Sequence, residues 1–376
     1  MPIPRPLPAA RTASPIRVMI VDDAVVVRGL ISRWIGVESD MEVVRVCKNG
    51  REALEQAEAA RPDVVLLDIE MPELDGIATL KELLARKPGL PVIMASTLTR
   101  RGAEITLKAL SLGAADCVPK PDINRVITAS EDFRRELIDK IRHLGKRIAQ
   151  VQPLVRREPR LPQAFAQQAA ANEIKLRAVS RIAPRAILIG SSTGGPQALH
   201  TLLKGLAPAV DRVPVLIVQH MPPIFTATLA EHLGRAAGKP AREAINGEPL
   251  KPGMIYVAPG GKHLALIRRD TGPEVLIDDG APIHFCKPAV DALFMSASHA
   301  LDGRAVGIVL TGMGTDGKKG ALSIADNGGN IIAQDEATSV IWGMPGAVAN
   351  SGACCAVLPL GEIAARTLRI ISGERS

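Results

Sequence analysis

One short segment of the sequence has the residue types and spacing of a serine nucleophile. Residues 190–194 read Gly-Ser-Ser-Thr-Gly, which fits the pattern G-x-S-x-G with Ser192 at its centre. That pattern projects a serine from a strained turn between a strand and a helix, where small neighbours are required. The same five residues are also compatible with tight packing or with an anion site at a helix N-terminus. Taken alone, the segment leaves these interpretations open.

A serine nucleophile needs a base and a group that orients the base, and two later strand ends supply them. The apolar run 213–219 is followed by His220, and the run 305–311 leads through a Gly-rich turn to Asp316. Because the carboxyl ends of parallel strands share one edge of a sheet, we expect Ser192 to lie beside both. His220 would accept the serine proton, and Asp316 would orient the imidazole and stabilise its charged form. A lone histidine at a strand end is often structural, so the hypothesis depends on all three positions.

A second group of reactive side chains lies in the first half of the chain. Asp22 and Asp23 follow the first predicted strand, and Asp68 ends the third. Carboxylates this close repel one another unless a cation joins them, and Mg²⁺ prefers such oxygen ligands. Ser96 and Lys120 end the fourth and fifth strands and add a hydroxyl and a positive charge. The five together favour a magnesium and phosphoryl site over simple helix capping.

Short apolar runs alternate with amphipathic segments, the pattern of parallel strands covered on both faces by helices. The predicted fold is therefore α/β, with two doubly wound parallel-sheet domains. The strands predicted in the first half are 16–21, 42–47, 63–67, 91–95 and 115–118. The helices predicted there are near 24–36, 50–60, 76–86, 101–112 and 130–149.

Composition and charge narrow the function classes. A chain of 376 residues is long enough for two domains of roughly 100–200 residues each. Only 2% of the residues are aromatic, which argues against a surface that stacks on single-stranded nucleic acid. The net charge of +7 is concentrated in residues 140–185, which contain eleven lysines and arginines but only two glutamates. We interpret this stretch as a basic linker, either a solvated tether or a docking surface for an acidic partner domain, rather than a DNA-binding site.

The cysteines and the N-terminus indicate the compartment. Five cysteines without C-x-x-C spacing indicate neither a zinc site nor a disulfide framework, which fits a reducing cytoplasm. Five prolines in the first 15 residues exclude a signal peptide. No apolar run approaches the roughly 18 residues of a membrane helix, so we expect a cytoplasmic protein without membrane insertion. The predicted segments are a disordered tail at 1–15, a first domain at 16–140, the linker at 141–182 and a second domain at 183–374.

The strand-end residues of the first half resemble the receiver domain of two-component response regulators, a flavodoxin-like fold. The resemblance implies that a histidine kinase phosphorylates Asp68. It also implies that Asp22, Asp23 and Asp68 hold Mg²⁺ together with the backbone carbonyl of Glu70.

In the same resemblance, Ser96 and Lys120 contact the phosphoryl oxygens. Many receivers carry a tyrosine or phenylalanine three residues before the lysine, whereas this chain has Cys117. The aromatic switch of those receivers is thus missing here, although phosphorylation itself does not need it.

The second half is similar to the CheB family, the protein-glutamate methylesterases of chemotaxis, with a Rossmann-like fold. The similarity is carried by residues 190–196, 219–222, 256–261, 310–317 and 342–345. It implies hydrolysis of glutamate γ-methyl esters on the cytoplasmic helices of chemoreceptors, with release of methanol, and deamidation of receptor glutamines. It further implies a CheA-like kinase as phosphodonor and no cofactor for the esterase reaction.

Carried over by position, Ser192 is the nucleophile of the family and the backbone amides of Thr193 and Met313 form the oxyanion hole. The chain departs from the family at Cys286 and Lys287, where a His-Arg pair is usual. Lysine lacks the planar fork of arginine, so this difference concerns substrate recognition. The sequence places no His and Asp partners for Cys286, which we therefore interpret as a buried structural residue.

Three other functions compete with this interpretation. The same chemistry could act on a receptor or regulator outside motility. A transcriptional regulator would carry a DNA-reading module after the linker, where the sequence instead predicts a second α/β domain. An inactive scaffold would be expected to lack part of the set Ser192, His220 and Asp316, which is complete.

Overall fold

The structure is a computed structural model that describes residues 14–120, 130–151 and 174–374. These residues form two compact units, one of residues 14–93 and 130–151 and the other of residues 94–120 and 174–374. The predicted tail lies outside the described residues except for its last two positions, as do residues 152–173 of the predicted linker. Residues 141–151 of that linker belong to a helix, and 174–182 have no regular structure.

The first sheet has five strands in the order β2-β1-β3-β4-β5. The strands are β1 Ile16–Val21, β2 Met41–Cys47, β3 Val64–Asp68, β4 Val92–Ser96 and β5 Asp116–Pro119. The helices are α1 Val25–Gly36, α2 Gly50–Ala60, α3 Gly76–Arg86, α4 Arg100–Ser111 and α5 Ser130–Val151. Strand β1 pairs in parallel with both β2 and β3. Every predicted strand and helix of this half is confirmed to within about two residues, because each apolar run is buried as the period predicts.

The second sheet has seven strands in the order β14-β13-β12-β6-β7-β9-β8. The strands are β6 Ala186–Ser191, β7 Val215–Gln219, β8 Ala241–Glu243, β9 Ile255–Val257, β12 Ala305–Val309, β13 Asn330–Gln334 and β14 Ala356–Leu358. The helices are α6 Gly195–Val210, α7 Phe225–Ala237, α8 Val290–Ala300, α9 Lys318–Asp326, α10 Met344–Ala349 and α11 Leu360–Ser372. Neighbouring strands of this sheet pair in parallel, which confirms the predicted fold class.

An antiparallel hairpin, β10 His263–Arg269 with β11 Gly272–Asp278, forms a separate small sheet. Its Leu264, Leu266 and Val275 join the core that also holds α8 and the central strands. Within the described ranges, no helix combines the length and the apolar character that crossing a bilayer requires.

Candidate active site

The strand-to-helix turn that carries Ser192 has the predicted form. Strand β6 ends at Ser191 and helix α6 begins at Gly195, whose amide donates to the Ser192 carbonyl at 2.7 Å. Gly194 has a φ of +76°, and a Cβ there would lie 2.5 Å from Val340 Cγ2. Only glycine fits this position, for both backbone and steric reasons.

The structure distinguishes the two serines of the turn. Ser191 is fully buried, and its hydroxyl donates to Gln219 Oε1 at 2.7 Å. Ser192 is half-buried, and Gln219 Nε2 donates to its carbonyl at 2.9 Å. The hydroxyl of Ser191 therefore holds the turn, and Ser192 is the more exposed of the two serines.

His220 follows β7, the neighbour of β6. Ser191 pairs with Gln219 in the register of the two strands, and the His220 amide donates to the Ser191 carbonyl at 3.1 Å. This places the histidine backbone one residue from the nucleophile candidate. Among the described residues, no hydrogen bond joins the Ser192 hydroxyl to the imidazole, and catalytic bonds of this kind often close only with substrate bound.

Asp316 is the hydrogen-bonding centre of the site. Its Oδ2 lies 2.8 Å from His220 Nε2 and accepts from the Val290 amide at 2.6 Å. Its Oδ1 accepts from the amides of Asp291 at 2.9 Å and Gly317 at 2.8 Å. The carboxylate therefore lies at the N-terminus of α8, where the helix dipole favours a negative charge.

The pKa values of this pair follow from that arrangement. Burial by itself would raise the pKa of Asp316, but the hydrogen bond and charge of His220 and the backbone amides hold it below its ordinary value. For His220, burial opposes the charged form, whereas the bonds to Asp316 and Cys286 dominate and raise its pKa. The site therefore stabilises an imidazolium, which is the species formed when the histidine accepts a proton.

Cys286 corrects one expectation from the sequence. It is partly exposed and lies with His220 and Asp316 in a group whose ligand atoms are all within 4.8 Å of one another. A tight turn carries it there: Ile283 and Cys286 exchange backbone hydrogen bonds of 3.1 and 2.8 Å. The interpretation as a buried residue without partners was therefore wrong. No local sequence signal indicated this position, because it depends on the turn at 283–286 and on the start of α8.

The two residues predicted to form the oxyanion hole lie on neighbouring turns. Thr193 is buried, and its carbonyl accepts from Thr311 Oγ1 at 2.9 Å. Met313 follows Gly312, where a Cβ would lie 2.9 Å from the Cβ of Ser192. The close approach of these turns brings the backbone around both residues near the serine.

The Thr193 side chain has a further partner in the same unit. Its Oγ1 donates to Asp116 Oδ2 at 2.5 Å, and Asp116 is the first residue of β5. Nearby, Gln197 Nε2 donates to the carbonyls of Leu110 and, at 3.0 Å, Ala114. Helix α4 also packs against α6 and α7.

The first unit brings together the three predicted acids. Carboxylate oxygens of Asp22, Asp23 and Asp68 lie within 4.8 Å of one another, with Asp22 and Asp68 buried and Asp23 exposed. Asp68 Oδ1 accepts from the Glu70 amide at 3.3 Å, so the backbone of Glu70 is close to the group. An all-oxygen set of this charge fits Mg²⁺.

Ser96 and Lys120 lie in the second unit. Ser96 is buried at the end of β4, and the Lys120 amide donates to its carbonyl at 2.7 Å. Their backbones are thus adjacent, as the shared strand edge predicts. Cys117 is also buried.

Comparison with known proteins supports the family resemblance of each half of the chain. Residues 187–367 match the CheB methylesterase family and residues 18–131 the response regulator receiver domain. The chain is 53% identical to a "protein-glutamate methylesterase/protein-glutamine glutaminase of group 2 operon" of Bradyrhizobium diazoefficiens, covering 98% of this chain and 97% of the relative. It is 57% identical to a "protein-glutamate methylesterase/protein-glutamine glutaminase" of Nitrobacter hamburgensis, covering 96% of each.

Among solved structures, the CheB methylesterase catalytic domain of Thermotoga maritima is 37% identical, covering 51% of this chain and 99% of that one with a TM-score of 0.48. The two relatives align over nearly the whole of this chain, across both matched segments. On this basis the chain belongs to the CheB methylesterase family, with a response-regulator receiver domain preceding the catalytic domain.

Proposed function

We propose that this chain hydrolyses glutamate γ-methyl esters on chemoreceptors to glutamate and methanol, deamidates receptor glutamines, and is activated by phosphorylation of Asp68. The observation that carries the esterase is the 2.8 Å contact between His220 Nε2 and Asp316 Oδ2, at a strand edge shared with Ser192. The names of the two relatives, protein-glutamate methylesterase/protein-glutamine glutaminase, support protein-borne glutamate esters and glutamines as substrates. The methylated cytoplasmic helix of a chemoreceptor is the substrate that we propose.

Acylation begins when the Ser192 hydroxyl attacks the ester carbonyl. The neutral imidazole of His220, held in place by Asp316, takes the serine proton. The tetrahedral oxyanion is stabilised by the backbone amides of Thr193 and Met313. The intermediate then expels the alkoxide, which leaves as methanol with the proton from His220.

Deacylation repeats these steps with water as the nucleophile. His220 takes a proton from the water, which attacks the acyl carbonyl, and then returns it to Ser192 as the glutamate carboxyl is released. On a glutamine substrate the leaving group is ammonia instead of methanol. Asp316 stays ionised throughout, since its four hydrogen bonds all stabilise the anion.

In this proposal, phosphorylation of the receiver domain regulates the esterase. Asp22, Asp23 and Asp68 would hold Mg²⁺ with the Glu70 carbonyl, and the ion would neutralise phosphoryl oxygens at Asp68. Ser96 and Lys120 would contact those oxygens, with a histidine kinase of the chemotaxis pathway as phosphodonor. The contact between Asp116 and Thr193 supports coupling between the phosphorylation site and the esterase site. Strand β5 begins at Asp116 and ends at the residue before Lys120, so it connects the two sites.

The test uses the full chain and membranes that contain methylated chemoreceptors. Methanol release is measured with and without a small acyl phosphate and Mg²⁺. We expect release in both conditions and a faster rate with the phosphodonor. Methylated receptors that lose no methanol in either condition would refute the proposed esterase.

A further inference from the structure

A nitrogen, a sulfur and an oxygen donor converge beside the proposed nucleophile. The ligand atoms of His220, Cys286 and Asp316 lie within 4.8 Å of one another. Imidazole, thiolate and carboxylate are the three ligand types that Zn²⁺ takes in proteins. Mg²⁺ and Ca²⁺, by contrast, take oxygen ligands and do not select a thiolate.

The fold positions the ligand side chains of Asp316 and Cys286 even without a bound metal. Asp316 is fixed by the amides of Val290, Asp291 and Gly317 at 2.6 to 2.9 Å. Cys286 closes the turn with Ile283, and the next carbonyl, that of Lys287, accepts from the Gly261 amide at 3.1 Å. Since little ordering remains to be done, binding loses little conformational entropy.

The group is also accessible. Cys286 is partly exposed, whereas the other four cysteines are buried. The His220 side chain is 12% exposed to solvent. In the described part of the chain, the only other group with comparable ligand spacing is Asp22, Asp23 and Asp68, which offers oxygens alone. The two groups therefore differ in the class of metal that each selects.

We propose that His220, Cys286 and Asp316 form a binding site for Zn²⁺ or another thiolate-seeking divalent transition metal. On binding, the Cys286 thiol and the His220–Asp316 pair each release one proton to solvent, and the metal takes the place of both protons. Three protein ligands leave one coordination position open. The bound metal coordinates the His220 imidazole, which can then no longer accept a proton, and so inhibits the esterase. This inhibition rests on the proposed function, whereas metal binding does not.

The test is a titration of the metal-free full chain with Co²⁺, whose bond to thiolate gives a sulfur-to-metal absorption band in the near ultraviolet. We expect one such band per chain, with visible absorption of tetrahedral Co²⁺ and displacement by one equivalent of Zn²⁺. Co²⁺ at the aspartate group gives no sulfur band, so the two sites are distinguished. Cys286→Ala should abolish the band, and Cys47→Ala, a control at a buried cysteine, should keep it.

Cys286→Ser provides a second variant that preserves side-chain size, and circular dichroism checks the fold of each. Relative to its own metal-free rate, the Cys286→Ala enzyme should need at least about tenfold more Zn²⁺ for half inhibition than the wild type. Absence of a sulfur band in the wild type, or its persistence in both Cys286 variants, would overturn the metal site. A normal band in a chain that never hydrolyses esters would instead refute only the proposed esterase.

Discussion

The hydroxyl of Thr193, the residue after the nucleophile candidate, donates a 2.5 Å hydrogen bond to the carboxylate of Asp116. Both side chains are buried, at 1% and 7% exposure. A buried hydrogen bond to a charged acceptor contributes about 1.5–3 kcal/mol. The bond therefore ties the turn of the proposed oxyanion hole to the strand that ends next to Lys120.

Asp116→Ala should raise the rate of the unphosphorylated chain, because it frees the Thr193 turn from β5. We expect an increase of about tenfold or less, which corresponds to about 1.4 kcal/mol, and a smaller stimulation by phosphodonor. Methanol release with and without acyl phosphate measures both. Arg100→Ala is the control, since its 3.4 Å contact with Glu231 joins side chains that are 74% and 49% exposed. Equal basal rates in Asp116→Ala and the wild type would show that the hydrogen bond between Asp116 and Thr193 does not regulate the esterase.

Asp316→Asn should lower kcat by about 10³- to 10⁴-fold with little change in KM, because an amide favours the wrong imidazole tautomer. The matched control is Asp291→Asn, at a second buried carboxylate of the α8 N-terminus. Burial raises the pKa of Asp291, and its Oδ2 makes no hydrogen bond and only a 3.5 Å contact with His284 Nε2, so we expect a neutral amide to be tolerated there. Steady-state kinetics of the two variants decide the point: similar losses in both would indicate a structural role for Asp316.

The predicted strand edge accounts for what the sequence could and could not reveal. The shared sheet edge of Ser192, His220 and Asp316 was predictable because each follows a buried strand of a parallel sheet, Asp316 after a Gly-rich turn. The position of Cys286 was not, since it depends on the turn at 283–286 and on the start of α8. The bond between Asp116 and Thr193, 77 residues apart in the chain, depends on tertiary packing that no local pattern encodes.

Asp68→Asn should abolish stimulation by acyl phosphate, because an amide can neither accept the phosphoryl group nor supply the charge that holds Mg²⁺. Chelation of Mg²⁺ should remove the stimulation of the wild type in the same way. Rates of methanol release with and without phosphodonor test both treatments. Stimulation that survives in Asp68→Asn would assign the phosphoacceptor to another residue.

Arg142→Lys should destabilise the first unit by about 1 kcal/mol or less, since the pairs are partly solvated. Arg142 binds Asp40 through Nε at 2.6 Å and Nη2 at 3.1 Å, and it also binds Glu38 at 2.9 Å. Lysine keeps the charge and loses the bidentate geometry. Urea unfolding measures the loss, and Arg51→Lys, at a 3.6 Å exposed contact with Glu73, should show none.

The same pair predicts a pH dependence. The hydrogen bond from Arg142 holds the pKa of Asp40 below its ordinary value of 3.8. A lowered pKa in the folded state gives stability that is present above the ordinary value and lost as the pH falls through the lowered one. The difference between wild type and Arg142→Lys should therefore shrink below the ordinary pKa of Asp40. A difference that grows as the pH falls would contradict this origin.

The central claim is that Ser192, and not its neighbour, is the nucleophile, and a pair of alanine variants tests it most directly. The measurement is methanol release from methylated receptor membranes by Ser192→Ala and Ser191→Ala, after both are shown to be folded. We predict that Ser192→Ala loses at least about a thousandfold in rate. Ser191→Ala, which leaves Gln219 Oε1 short of one donor, should lose only about 1–3 kcal/mol of stability and retain turnover. An active Ser192→Ala enzyme, or an inactive but folded Ser191→Ala enzyme, would contradict the account.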